Sequence, residues 1–76
     1  MRYFGWDEFI GILAHELNTD PTTIRQDSRL KQDLGMDSFQ KVSFAVLLED
    51  LLDITIDDDG IAAALTAYQL FTLTRK

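Results

Sequence analysis

The residues with the clearest chemical potential are an acid and a hydroxyl, Asp37 and Ser38, at the end of the segment Asp-Leu-Gly-Met-Asp-Ser-Phe (residues 33–39). The simple interpretation is a helix start, because Asp37 is a good N-cap and Gln40 completes a variant capping box. A second interpretation begins with Ser38, which falls in the first helical turn, where backbone N–H groups are unpaired and the dipole is positive. A phosphate ester on that hydroxyl would be well placed. The dipole contributes only about 0.3–1 kcal/mol, so it would assist such a group without requiring one.

Other arrangements that could do chemistry lack essential parts. Residues 55–60 resemble a calcium loop, but its first ligand would be Thr55 and its twelfth position is Thr66 instead of Glu. Residues 35–38 are not the Gly-x-Ser-x-Gly elbow of serine hydrolases, and no predicted strand precedes them. His15 is predicted on the polar face of another helix, and we assign it no role. With no cysteine in the chain, we predict no disulfide, no thiolate metal site and no thiol chemistry of the protein itself. We assign no catalytic residue.

Hydrophobic spacing predicts two long helices that flank a long loop. The first covers residues 7–18, with Asp7 as its N-cap and Asn18 as its stop. The central helix covers residues 38–52 and is apolar on so many sides that several neighbours should contact it. Its apolar stripe consists of Phe39, Val42, Val46 and Leu52, with Ala45 and Leu48 alongside, widened by Phe44, Leu47 and Leu51.

The remaining segments are predicted to be short. Residues 19–36 form an irregular loop held to the core by Ile24, Leu30 and Leu34. Residues 54–56 read as an extended link with both isoleucines buried, and the acids at 57–59 begin a short helical turn that runs to residue 64. A capping box of Thr66 and Gln69 then begins the last helix. The predicted core includes Phe44, Val46, Leu47, Ile56, Ile61, Leu65 and Phe71, with Tyr3, Phe4 and Trp6 covering one end.

The fold class that follows is all-α. We expect a small four-helix bundle, with three main helices, one short helix and a long loop between the first two. Residues 1–76 should form a single domain.

Residues 33–39 resemble the Asp-Leu-Gly-x-Asp-Ser-Leu signature of acyl carrier proteins. The resemblance extends over most of the chain: a first helix, a loop with an Asp-Ser-x-Leu element at residues 27–30, a central helix, an Ile-x-Ile link, an acidic cluster and a last helix follow in the expected order. It implies a 4′-phosphopantetheine arm, esterified to Ser38 by a transferase that uses coenzyme A, with Asp37 supporting the attachment. The thiol of the arm would carry acyl groups as thioesters, while this chain provides no thiol of its own.

The resemblance implies a carrier that is no enzyme by itself. Its partners would be a phosphopantetheinyl transferase, an acyl-loading enzyme and ketosynthase-type or other acyl-transfer enzymes. Fatty acid, polyketide and related pathways remain open, as does an aminoacyl or peptidyl carrier of a peptide synthetase. The alternative from another class is an unmodified acidic helical interaction module, in which Asp37 and Ser38 only cap the helix.

The chain departs from the family pattern around the serine. Phe39 replaces the usual leucine, and the early central helix has Gln40, Lys41 and Ser43 where the family usually has acids. Acids come later, at Glu49, Asp50 and Asp53. The usual partners of housekeeping fatty-acid synthesis are therefore not implied. The predicted partner-docking residues are Phe39, Gln40, Lys41, Ser43, Glu49, Asp50 and Asp53.

Composition and charge limit the partners. Thirteen acids against seven bases in 76 residues give a net charge of −6, which argues against binding to nucleic-acid phosphates. No apolar run is long enough for a membrane span, and the first residues lack the features of a signal peptide. We therefore expect a cytoplasmic monomer without nucleic-acid or membrane partners. Its acidic stretch is either a solvated face or a docking surface for basic enzymes, since ion pairs of about 0–1 kcal/mol each suit fast, weak contacts.

Overall fold

Four α-helices follow one another in the computed structural model, which describes residues 4–75. In chain order they are Trp6–Leu17 (α1), Ser38–Leu52 (α2), Asp58–Ala63 (α3) and Ala67–Thr72 (α4). The described residues contain no β-strand; the loop between α1 and α2 has one 3₁₀ turn at Pro21–Thr23. The all-α four-helix prediction is confirmed. The expected division into three main helices and one short helix is wrong, because only α1 and α2 are long, whereas α3 and α4 have six residues each.

The ends of α1 differ slightly from the prediction. The N-cap is Gly5 and not Asp7, which lies in the first turn. Glu8 takes the place of a capping side chain, since its carboxylate accepts a hydrogen bond of 2.9 Å from the Gly5 N–H. Asn18 ends the helix as predicted, with a left-handed φ of 54°.

An aromatic cluster joins α1, α2 and α4. The ring centroid of Phe9 lies 5.8 Å from that of Phe44 and 5.3 Å from that of Phe71. Trp6 stacks on Phe9 at 5.5 Å, and Phe4 also packs against the core. These contacts confirm that Phe4 and Trp6 cover one end of the bundle. Tyr3 lies outside the described residues.

The predicted apolar stripe of α2 is only partly buried. Phe39, Val42 and Val46 belong to it but have exposed fractions of 77%, 51% and 49%, so the prediction that Val46 lies in the core is wrong. The buried residues are Phe44, Ala45 and Leu48. Apolar residues occur all round this helix, so its sequence gives no preferred direction, and the neighbouring helices determine which side they cover.

Smaller corrections concern the second half of the chain. Leu65, predicted in the core, is 67% exposed, because it lies in the short connection between α3 and α4. Ile56 is buried as predicted, while Ile54 is only half-buried against the core. No helix among residues 4–75 combines the length and apolar character needed to cross a bilayer.

The corrected register of α2 can be tested by truncating one residue on each side. Leu48→Ala should lower the free energy of unfolding by about 2–5 kcal/mol, because Leu48 has no exposed surface. Val46→Ala, on the exposed side, should change it by less than about 0.5 kcal/mol. Urea titration followed by circular dichroism measures both. Equal losses, or a larger loss at Val46, would contradict this orientation of α2.

Candidate functional site

Backbone hydrogen bonds tie the long loop to the connection between α3 and α4. The Leu30 N–H donates to the Leu65 carbonyl at 2.9 Å, and the Ala67 N–H donates to the Ser28 carbonyl at 2.9 Å. Arg29 and Thr66 therefore form an isolated antiparallel bridge. This pairing fixes the loop that leads into α2.

Apolar side chains hold the same loop against the core. Ile24 and Leu30 are buried and Leu34 packs against the core, which confirms the three predicted contacts. Sequence reasoning missed Met36, which is also buried. Its N–H donates to the Leu30 carbonyl at 2.8 Å, so the loop closes on itself just before α2.

Asp33 and Gly35 shape the turn before α2. The Asp33 carboxylate accepts the Arg29 backbone N–H at 2.8 Å and lies 3.3 Å from the Arg29 guanidinium. Both bonds lower the pKa of Asp33, and the bond from the backbone N–H has the larger effect. Gly35 has a φ of 68°, where a Cβ would be strained even though the space around it is open.

Asp37 and Gln40 form the predicted capping box at the start of α2. The Asp37 Oδ1 accepts the Gln40 N–H at 2.8 Å, and the Gln40 Oε1 accepts the Asp37 N–H at 3.2 Å. No residue within 4–75 hydrogen-bonds to the second carboxylate oxygen of Asp37. The cap therefore uses only one of the two oxygens with which this carboxylate can accept hydrogen bonds.

Ser38 is the first residue of α2, and its side chain is exposed. Its hydroxyl has no hydrogen-bond partner in the described part of the chain. The Ser38 and Phe39 N–H groups also lack an acceptor there, as expected for the first turn of a helix. An accessible hydroxyl beside free N–H donors at the positive end of a 15-residue helix fits a phosphate ester.

Two clefts flank Ser38, and Lys41 lines both. The first, with a volume of about 230 Å³, is here called the Lys31 cleft; it is lined by Lys31, Gln32 and Leu65, among others. The second, of about 400 Å³, is called the Asp58 cleft and lies between α2 and α3; it is lined by Val42, Asp58, Ile61 and Ala62 as well. A group attached to Ser38 could therefore lie along either side of α2.

The other predicted docking residues fall into two groups on α2. Phe39, Gln40, Lys41 and Ser43 lie in the first turns, beside Ser38. Asp50 and Asp53 lie at the other end; twelve positions separate Ser38 from Asp50, about 18 Å along the helix. Glu49 is half-buried, and its carboxylate accepts the Ile56 N–H at 2.8 Å. Sequence reasoning missed this structural role, because the partner lies beyond the end of the helix.

The acids at 57–59 begin α3. The Asp57 carboxylate accepts the Gly60 N–H at 3.0 Å and caps the helix. Within residues 4–75, no group of three or more His, Asp or Glu side chains could hold a metal ion. His15 lies exposed on α1, away from Ser38.

Comparison with known proteins agrees with this geometry. The family model described as "Phosphopantetheine attachment site" matches residues 7–71. An acyl carrier protein of Sulfurovum sp. is 34% identical over 61 residues, which cover 80% of this chain and 81% of the relative. The chain belongs to the acyl carrier protein family. The resemblance read from residues 33–39 is thus confirmed.

Two further relatives of the family give similar agreement. Acyl carrier protein 3 of Ralstonia nicotianae is 32% identical over 66 residues, covering 87% of this chain and 76% of the relative. The acyl carrier protein MbtL of Mycolicibacterium paratuberculosis is 32% identical over 63 residues, which cover 83% of this chain and 71% of the relative. Membership implies a covalently attached 4′-phosphopantetheine, as predicted.

The turn before α2 should make the stability of this family member depend on pH. The pKa of Asp33 in the folded chain lies below its ordinary value of 3.8. Its stabilising effect is therefore present above 3.8 and is lost as the pH falls through the folded-state pKa. Asp33→Asn should reduce the loss of stability between about pH 5 and pH 2, measured as the urea midpoint.

A second carboxylate in the same loop should contribute independently to this pH effect. The pKa of Asp20 is also lowered, by hydrogen bonds from the Thr22 backbone N–H and hydroxyl. Asp20→Asn should therefore remove a separate part of the same acid-induced loss. An Asp33→Asn profile parallel to that of the wild type would contradict the assignment.

Proposed function

We propose that Ser38 bears the 4′-phosphopantetheine arm and that the chain carries acyl groups as thioesters on the thiol of that arm. The observation that carries this proposal is the Ser38 hydroxyl itself, exposed and without a hydrogen bond at the first position of α2. It lies within the range that matches the phosphopantetheine family model. The arm supplies the thiol chemistry that a chain without cysteine lacks.

Asp37 supports the attachment in this proposal. One of its oxygens caps α2 through Gln40, which fixes the orientation of the first turn. The other oxygen has no partner among the described residues and is available to a modifying enzyme. Asp37 can therefore contact a transferase while α2 stays capped.

The enzymes that use this chain would recognise two different surfaces of α2. Near Ser38 the exposed residues that follow it on α2 are Phe39, Gln40, Val42 and Ser43, none of which carries a charge, so contacts with them would not be ionic. About 18 Å away, Asp50 and Asp53 would steer basic surfaces during the encounter. This division favours partners other than those that read acids next to the serine.

The reaction sequence served by the chain is the assembly of an acyl chain in fatty acid, polyketide or related biosynthesis. The named relatives are acyl carrier proteins, which supports acyl over aminoacyl cargo. The transferase, an acyl-loading enzyme and acyl-transfer enzymes are the partners in this proposal. The unmodified interaction module that the sequence left open is not favoured by this family membership.

Modification of Ser38 can be tested by intact mass. After incubation with coenzyme A and a broad-specificity phosphopantetheinyl transferase, the wild type should gain one phosphopantetheinyl group. Ser38→Ala should gain none, since the attachment oxygen is missing. Ser43→Ala, which removes another exposed hydroxyl from the same helix, should be modified like the wild type. A wild type that gains no mass with several transferases would overturn the proposal.

The docking proposal predicts that the exposed acids Asp50 and Asp53 affect the rate of association, whereas Glu49, which is hydrogen-bonded within the fold, does not. Asp50→Asn and Asp53→Asn should each slow association with the transferase by up to about five-fold at low salt, with little effect on dissociation. Asp53 is the left-handed C-cap of α2, a position that asparagine tolerates. Glu49→Ala should instead act mainly on stability, because it removes the acceptor of the Ile56 N–H. Stopped-flow rates that do not change in the Asp variants would contradict the steering role.

A further inference from the structure

Lys41 is the side chain by which α2 holds the end of α3. Its Nζ donates to the Ala62 carbonyl at 3.2 Å and to the Ala64 carbonyl at 3.0 Å. The last carbonyls of a helix have no intrahelical donor, and a positive charge there suits the helix dipole. The half-buried Lys41 therefore stabilises the C-terminal end of α3.

α3 depends on such contacts because it is short. It has six residues, and helices of this length are not stable by themselves. Asp57 caps its beginning, and Ile61 is its buried residue. At its end, the Ala64 N–H donates to the Gly60 carbonyl at 3.0 Å, and the two bonds from Lys41 hold that turn to α2.

Lys41 also lies beside Ser38. The two residues are three positions apart on α2 and so share a face of the helix. Both line the Lys31 cleft and the Asp58 cleft. A group attached to the Ser38 hydroxyl would therefore meet Lys41 on either side.

A phosphodiester on Ser38 would compete with the α3 carbonyls for this ammonium. The bonds from the Lys41 ammonium to the Ala62 and Ala64 carbonyls carry a full charge on the donor only, whereas a bond to a diester anion adds the attraction between two opposite charges. A diester anion near Lys41 is therefore a better acceptor than the neutral carbonyls of Ala62 and Ala64. Asp58, in the second cleft, is the nearby acid that could also attract Lys41.

We propose that Lys41 binds the phosphodiester of the arm and, in doing so, releases the C-terminal end of α3. Attachment of the arm to α2 would then loosen α3, a helix that does not carry the arm. This inference rests on the proposed function, because it requires the arm on Ser38. Its first half, the attachment of α3 by Lys41, can be tested on the unmodified chain.

The first experiment measures amide hydrogen exchange in the unmodified protein. Lys41→Met should speed exchange at the Ile61 and Ala64 amides by about five-fold, because the two bonds to α3 are lost. Lys41→Arg should restore most of the protection. Lys31→Met, which removes the same charge from the Lys31 cleft but no bond to α3, should leave exchange unchanged. Equal exchange in Lys41→Met and the wild type would overturn the inference.

The second experiment compares the unmodified and modified wild type, so it does not depend on any variant folding. Once intact mass confirms the arm, exchange at Ile61 and Ala64 should be about five-fold faster than in the unmodified chain. The ³¹P resonance of the diester should move in modified Lys41→Met and stay in place in modified Lys31→Met. In modified Lys41→Met, exchange in α3 should match that of its unmodified form.

The outcomes distinguish the two proposals. A wild type that takes up no arm overturns the proposed function and this inference with it. The inference alone is overturned if the wild type takes up the arm but amide exchange in α3 does not change and the ³¹P resonance does not move in Lys41→Met.

Discussion

The pairing between residues 26–30 of the long loop and residues 65–68 is the constraint on which the site depends. A loop without regular structure has backbone groups that must find partners before its apolar side chains can be buried. Here the connection between α3 and α4 supplies those partners, through bonds such as Leu30 to Leu65. Ile24, Leu30 and Met36 can then join the core, and α2 begins at a fixed place. The exposed position of Ser38 thus depends on the backbone contacts that hold the preceding loop in place.

Local signals in the sequence predicted much of this arrangement. The bounds of α2, its capping box and the box at Thr66 depend on residues within three or four positions of each other, so the pattern alone contains them. The seven residues 33–39 also indicated the family. Such signals are reliable here because one short segment determines each of them.

Long-range packing could not be predicted in the same way. Val46 was assigned to the core and is about half exposed, because α2 is apolar on every side and only the positions of its neighbours decide which side is covered. The bonds from Lys41 to α3 and from Glu49 to Ile56 join residues that are distant or outside one helix. No periodic pattern encodes them. Lys41 and Glu49 were predicted as docking residues, but both side chains also make hydrogen bonds that stabilise the fold.

The position of Trp6 has a practical consequence. It is the only tryptophan in the chain, and its ring lies 5.5 Å from Phe9 and 5.6 Å from Phe71. Its intrinsic fluorescence therefore reports on the association of α1 with α4, at an end of the bundle that does not contain Ser38. The molecule thus contains its own optical probe of global unfolding, one that needs no added label and leaves the serine free.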